Sequence, residues 1–281
     1  MPACAAAASS SLWPVPLTPA YSEQAHEIEV RRAAASNTAR AVGASSQPVT
    51  ALITRPSLLV VHKPAGAYCE DVAARVAAHS HGFVELAHRL DRDTTGALCL
   101  ATSRQSLTEL RAAFSRPGVV RKAYVALAHI TPDWCGAQSS RVVSGHGRSR
   151  HGLWRAYAHA DCGRELPHGG GKVKEMETAL QWFGPPDEDG KVLLLAIPVQ
   201  GRTHQVRLHA ALAGTPLSGD VRYGGPQNEQ DAVLLHAAWL RVPTPGGNVE
   251  CTAPWPDWLQ RSPSPAREAL LAALATAFET R

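Results

Sequence analysis

Long apolar runs are absent. None exceeds eight residues, as in Val192 to Val199, which contains Pro198, against the ~20 that a membrane-crossing helix requires. No membrane span is expected. Paired cysteines are absent too. The six, at 4, 69, 99, 135, 162 and 251, form no CxxC, and a chain this long needs no disulfide staples, so reduced intracellular thiols are expected. Thirteen histidines fall in no HExxH or CxxC…HxxxH frame, which excludes the usual zinc sites. GxSxG, GxxxxGK[ST] and GxGxxG are missing as well. Gly184 to Lys191 imitates a phosphate loop but is one residue too long, and Val192 stands where a hydroxyl belongs. No metal, nucleotide or redox cofactor is expected.

Lys and Arg are missing before Arg31, and the Ala5–Ala8 run is a poor apolar segment, so a secretory signal is not expected. The first 22 residues lack acid and are rich in Ala and Ser. That leaves an organelle transit peptide as the alternative to a disordered tail, and the cytoplasm as the default compartment.

What is present is an ordinary globular composition: 281 residues, 44% hydrophobic and 19% charged, enough for a sizeable core. The net charge of +4, from 28 basic against 24 acidic residues, suits a polyanionic partner without requiring one. Residues 1–50 show no sustained helical or strand period and read as a tail. From about Leu52 onward, short apolar runs at 58–61, 97–101, 120–130, 175–183, 192–199, 233–242 and 248–252 read as strands. Helices are expected at 71–79, after Thr102 and Gln105 with capping-box spacing, at 203–213, and at 265–278 behind Ser264 as N-cap and Pro265. The mixture lacks regular β-α alternation, which favours an α+β fold.

One stretch stands out: His88-Arg89-Leu90-Asp91-Arg92-Asp93-Thr94-Thr95-Gly96. Alone it would read as a solvated turn with local ion pairs. Two further segments accompany it, Lys122-Ala123-Tyr124 and Gly201-Arg202-Thr203-His204-Gln205-Val206-Arg207-Leu208-His209, the latter continuing through Gly219-Asp220 to Tyr223-Gly224. Together, and in this order, they strongly resemble the RluA-type family of RNA pseudouridine synthases. The HRLDxxTSG motif is matched with Thr95 for serine, KxY by Lys122 and Tyr124, and GRTHQIRxH…GxPIxGDxxYG almost throughout residues 201–224. His62-Lys63-Pro64-Ala65-Gly66 and Leu234-Leu235-His236-Ala237 are weaker echoes. The stretch 147–177 resembles plant-type members.

The resemblance implies a mixed, mostly antiparallel sheet with flanking helices and a central cleft. It also implies isomerisation of uridine in RNA, ribosomal or transfer. It makes Asp91 the catalytic aspartate, Arg207 its partner and Tyr124 the ring that stacks on the target base. One ionised carboxylate suffices to attack the anomeric carbon or to remove the adjacent sugar proton, and both routes stay open. An arginine partner would keep Asp91 ionised once the base shuts out water. Asp93, two residues on, would point the other way in an extended segment and reads as structural. Arg89, Leu90, Arg202 and His204 are assigned to substrate binding, Leu90 as a pocket wall and Arg202 as a phosphate or structural contact.

Many family members carry an N-terminal S4 RNA-binding domain, and residues 1–50 show no such basic helical pattern, so target selection is expected of the catalytic domain itself. That domain is read as 51–281, with a Gly/Arg-rich insertion at about 139–175. Between 139 and 160 there are four arginines and no acid. This segment reads either as a mobile loop or as a phosphate grip through Arg148, Arg150 and Arg155. A monomer is expected. The competing readings are a catalytically silent RNA-binding protein on the same scaffold, which intact Asp91, Tyr124 and Arg207 argue against, and a carboxylate-dependent glycosidase, which would need a second acid that the sequence does not offer.

Overall fold

Apolar alternation builds a single sheet. In the computed structural model, which describes residues 13–18, 22–41, 49–80, 82–149 and 152–278, the elements in chain order are α1 (Glu23–Ala41), β1 (Ala51–Thr54), β2 (Leu58–Lys63), α2 (Cys69–Ser80), β3 (Glu85–Leu86), β4 (Thr95–Ala101), α3 (Arg104–Ser115) and β5 (Arg121–His129). There follow β6 (Ser139–Arg148), β7 (Trp154–Tyr157), β8 (Lys174–Phe183), β9 (Lys191–Pro198), α4 (Gln205–Leu212), β10 (Leu235–Thr244), β11 (Gly247–Thr252), α5 (Asp257–Gln260) and α6 (Ser264–Thr276). The strand order is β1-β2-β4-β10-β5-β9-β8-β6-β7, with β11 beside β10 and β3 beside β4. Every pairing is antiparallel except β4 with β10, where His236 faces Thr95 and Ala237 faces Gly96. The α+β architecture expected from the sequence is therefore the one observed.

Period-2 alternation sends side chains to two cores. On β4, Ala97, Cys99 and Ala101 pack towards Leu110 of α3, while Leu98 and Leu100 pack with Val72 and Ala73 of α2. On β5, Ala123 and Val125 meet Leu270 and Leu274 of α6, while Ala126 and Ala128 meet Val206 and Ala210 of α4. Helices α2 and α4 thus cover one face and α3 and α6 the other. Tyr124, between the α2 and α4 clusters, lies where those helices leave the sheet open. The one parallel junction is drawn tight by Gly96, whose φ is +107°; a Cβ there would lie 2.3 Å from the Ala237 carbonyl oxygen, so only glycine fits.

Four expectations need correction. Residues Glu23–Ala41, within the stretch read as a tail without helical period, form a 19-residue helix, started by the Ser22 hydroxyl accepting from Ala25 N–H at 3.1 Å. It shows no apolar period because little of it is buried by apolar contact; Ala25 and Arg32 are its buried residues among those described. Helix α3 is capped one residue later than expected, by Ser103 with Ser106 in a reciprocal pair, since a serine at the third position reaches back as a glutamine would. In α6, Ser264 is the first helical residue and Pro263 the N-cap; the Ser264 hydroxyl bonds Glu268 instead. The supposed loop at 139–148 is strand β6, paired with β8 from Ser139 to His146 and with β7 from Gly145 to Arg148. Its glycines serve packing: a Cβ on Gly145 or Gly147 would meet Val173 or Leu166 at 2.4 Å.

Candidate active site

Asp91 stands on the loop between β3 and β4, and its neighbours fasten that loop on several sides. The Cys69 thiol accepts from Leu90 N–H and donates to the Leu90 carbonyl, both at 3.2 Å. Lys63, fully buried, donates from Nζ to the Arg92 carbonyl at 2.6 Å and to that of Pro64 at 2.9 Å. His88 Nε2 accepts from Cys99 N–H at 3.0 Å. Burial holds His88 down to about 3, so its ring is neutral and can accept. Arg92 and Asp93 pair at 2.8 Å, which turns Asp93 away from chemistry. The Asp91 side chain keeps 24% of its surface exposed, open to the cleft.

Helix α4 brings Arg207 to Asp91. Its Nη1 is 3.4 Å from Asp91 Oδ2, while Nε and Nη2 donate to the two oxygens of Asp220 at 2.8 and 2.7 Å. Arg207 is buried and Asp220 fully so. Burial works against the guanidinium charge, but Asp220, its hydrogen bonds and Asp91 outweigh it and raise the pKa further. The Tyr223 ring lies 5.1 Å from the guanidinium carbon. The bidentate pair with Asp220 fixes the fork and leaves one edge for Asp91.

His204 adopts a left-handed conformation, φ 58°, immediately before α4, a strained geometry for this residue. This places Nδ1 2.8 Å from the Tyr223 hydroxyl and Nε2 3.9 Å from Asp91. Burial, with repulsion from Arg207 and Arg222, holds the ring well below its ordinary pKa. It is neutral, so it flanks Asp91 without carrying a charge to it. Tyr124 on β5 is half-buried and lines the same cleft. Burial, then the nearby Asp91 and Cys69, push its hydroxyl pKa up, so it remains protonated and its ring is the part available to a base. Lys122, two residues away, donates to the Gln200 carbonyl at 3.2 Å and is pushed down by burial to about 8.

The cleft measures about 1000 Å³. Leu90 lines it while packing against α2. Arg202 lies on its wall and donates to the Glu175 carbonyl at 3.2 Å. Arg89 is 72% exposed and pairs with Glu70 at 3.3 Å. Arg148 does not line it; its Nε donates to the Gly152 carbonyl at 2.8 Å and its guanidinium lies over Trp154. Arg150 falls outside the described residues. Arg155 is buried, which corrects its reading as a phosphate grip. Among the described residues, no three His, Cys, Asp or Glu cluster as a metal would require, and no helix is long and apolar enough to cross a membrane.

Two participants were missed. Asp220 stood inside a quoted motif without a role, because its need as a partner follows from the burial of Arg207, which only the structure shows. Glu29 of α1 also lines the cleft and pairs with Arg222; nothing in its segment pointed to it.

Residues 56–212 match the model of the family described as RNA pseudouridylate synthase. The chain belongs to that family. It is 33% identical to RNA pseudouridine synthase 1 of Oryza sativa subsp. japonica, over 90% of this chain and 85% of the relative. It is 30% identical to the ribosomal large subunit pseudouridine synthase C of Vibrio parahaemolyticus, over 75% of this chain and 64% of that one. Among solved structures, human RNA pseudouridylate synthase domain containing 1 superposes with a TM-score of 0.60 at 26% identity, covering 74% of this chain and 84% of that one. The RluA-type and plant-type readings made from the motifs are thus upheld. This RNA pseudouridine synthase is an isomerase that converts uridine to pseudouridine. Asp91 presents a partly exposed carboxylate to the cleft described above.

Proposed function

We propose that Asp91 opens the reaction on a uridine flipped into the cleft, that Tyr124 stacks on its uracil, and that Arg207 holds the Asp91 carboxylate in place. The observation that carries this reading is the 3.4 Å approach of Asp91 to Arg207 within a cleft that Tyr124 also lines. Asp91 either bonds the anomeric carbon or takes the adjacent sugar proton; the glycosidic bond breaks, the uracil turns, and its C5 bonds to the anomeric carbon as Asp91 leaves that carbon or returns the sugar proton, the proton lost from C5 being matched by one gained at N1. A flipped base loses its stacking in RNA, and the Tyr124 ring offers part of that back. The Tyr124 hydroxyl, its pKa raised by burial, keeps its proton at neutral pH, so its ring is the part that serves the base.

The substrate is a structured RNA, and the name of the Vibrio relative favours ribosomal over transfer RNA. Residues 51–281 act as one catalytic domain, as a monomer. Arg89, Leu90, Arg202 and His204 form the near binding surface. Arg148 meets RNA outside the cleft and Arg150 is a further phosphate contact; replacing either removes about 0.7 from the salt slope of binding to a single strand. The deciding experiment is site-resolved pseudouridine mapping in total RNA with wild type and Asp91→Ala. Product with the wild type alone supports the assignment and names the target. Activity in the variant removes Asp91 from the mechanism. RNA binding by both without product makes the protein a binder on this scaffold.

A further inference from the structure

Helix α1 lies outside the residues that match the family model, yet His26, Glu29, Val30 and Ala33 line the same cleft as Asp91. Its docking is mostly ionic. Glu29 pairs with Arg222 and stands 3.9 Å from Arg207. Arg31 and Arg32 each reach Asp231 at 3.1 Å, and Arg32 also donates to the Gly219 carbonyl at 2.8 Å. The apolar contribution is small: Ala25 is the buried apolar residue of the helix among those described, and Val30 is 53% exposed.

Arg207 does not need Glu29, because Asp220 and Asp91 already face its fork. The hydrogen-bond partner of Glu29 is Arg222, a half-buried arginine in the wall of a cleft that must admit a polyanion. A phosphodiester presents the same single charge and the same pair of oxygens as a carboxylate. It can therefore replace Glu29 on Arg222 without leaving that arginine unpaired, and the helix would lose one of its few anchors in the exchange.

Resting on the RNA-isomerase reading above, we propose that Arg222 is a binding residue for an RNA phosphate and that Glu29 holds its place in the free enzyme. RNA entry exchanges one anion for the other and releases α1 from the cleft wall. A fixed wall behaves oppositely: RNA would press α1 down, and losing Glu29 would loosen the site.

The test uses the full chain and a short uridine-containing single-stranded RNA. Hydrogen exchange across 23–41 should quicken when RNA is added. Glu29→Gln should bind RNA about 1.5- to five-fold more tightly, the range for a partly exposed ion pair, with KM falling in step. Asp231→Asn, which loosens α1 away from the cleft, should also tighten binding. Arg222→Gln should weaken it and lower the salt slope by about 0.7, and on that background Glu29→Gln should gain nothing. Slower exchange in α1 with RNA, weaker binding by Glu29→Gln, or a fall in kcat at constant KM overturns the proposal and makes α1 a fixed wall. In those outcomes the wild type still binds and isomerises RNA, so the catalytic reading survives; a wild type that does neither brings down both.

Discussion

The Asp91 loop and helix α1 approach the same guanidinium, that of Arg207, from distant parts of the chain, and they are held by opposite means. The loop is tied by buried groups: a cysteine clamp, the Lys63 ammonium on a backbone carbonyl, and Leu90 in an apolar cluster. The helix is tied mainly by charges that water partly reaches, on Glu29, Arg31 and Asp231. Charge pairs weaken with salt and with competing ions, whereas buried hydrogen bonds and apolar contacts barely respond. The site therefore joins a rigid half to an exchangeable one.

The contrast can be sharpened by breaking each half. Asp220→Asn strikes the rigid one. It leaves the buried Arg207 without its bidentate partner, and should cost about 3–5 kcal/mol of stability, read as a shift in the urea midpoint, with kcat falling as the fork loses its aim.

Acid is a second lever of comparable size. His146 and His209 are held by burial to about 4, and His236 to about 3. The unfolded chain binds protons on these rings near 6.5 and the folded chain does not. Their neutral burial thus favours the fold above that value, and the advantage is lost as pH falls towards 4. The slope is about 1.4 kcal/mol per pH unit for each histidine. Urea midpoints at neutral pH and about pH 5 measure it; equal midpoints would mean these rings are not buried neutral.

The smallest effect belongs to α1. Arg31→Gln removes an ion pair whose side chains are 61% and 41% exposed. It should change global stability by less than about 1 kcal/mol, while hydrogen exchange in 23–41 rises, and rises further with potassium chloride. A loss as large as that of Asp220→Asn would place α1 in the rigid half after all.

The same contrast explains what could be read from the sequence. Asp91, Tyr124 and Arg207 lie in dense motifs between apolar strands, and both the strands and the motifs were legible. The α2 and α4 helices were placed within two residues of their observed ends, α4 from Thr203 before it and Gly214 and Pro216 after it, residues that start and stop a helix whatever it packs against. Helix α1 buries little apolar surface, so no period betrayed it, and the Glu29–Arg222 pair joins residues 193 apart. The Ser103 cap was displaced from Thr102 because adjacent hydroxyls offer the same chemistry and only the backbone angles decide between them. The left-handed His204 has no counterpart in composition at all.

The parallel contact of Thr95 with His236 carries a consequence for how the enzyme comes into being. It joins residues 141 apart, with Thr95 Oγ1 lying 2.7 Å from His236 Nδ1. Strands β5, β8 and β9 are all synthesised between the two, and Asp91 lies just before the earlier one. Non-local pairings of this span form late, after the entropy of closing a long loop has been overcome. A nascent chain on the ribosome can collapse its first hairpins early, but Asp91 and Arg207 cannot meet in their final geometry until residues beyond 236 have left the exit tunnel. The Asp91–Arg207 pair thus waits for β10 to emerge, well after both of its members have been made.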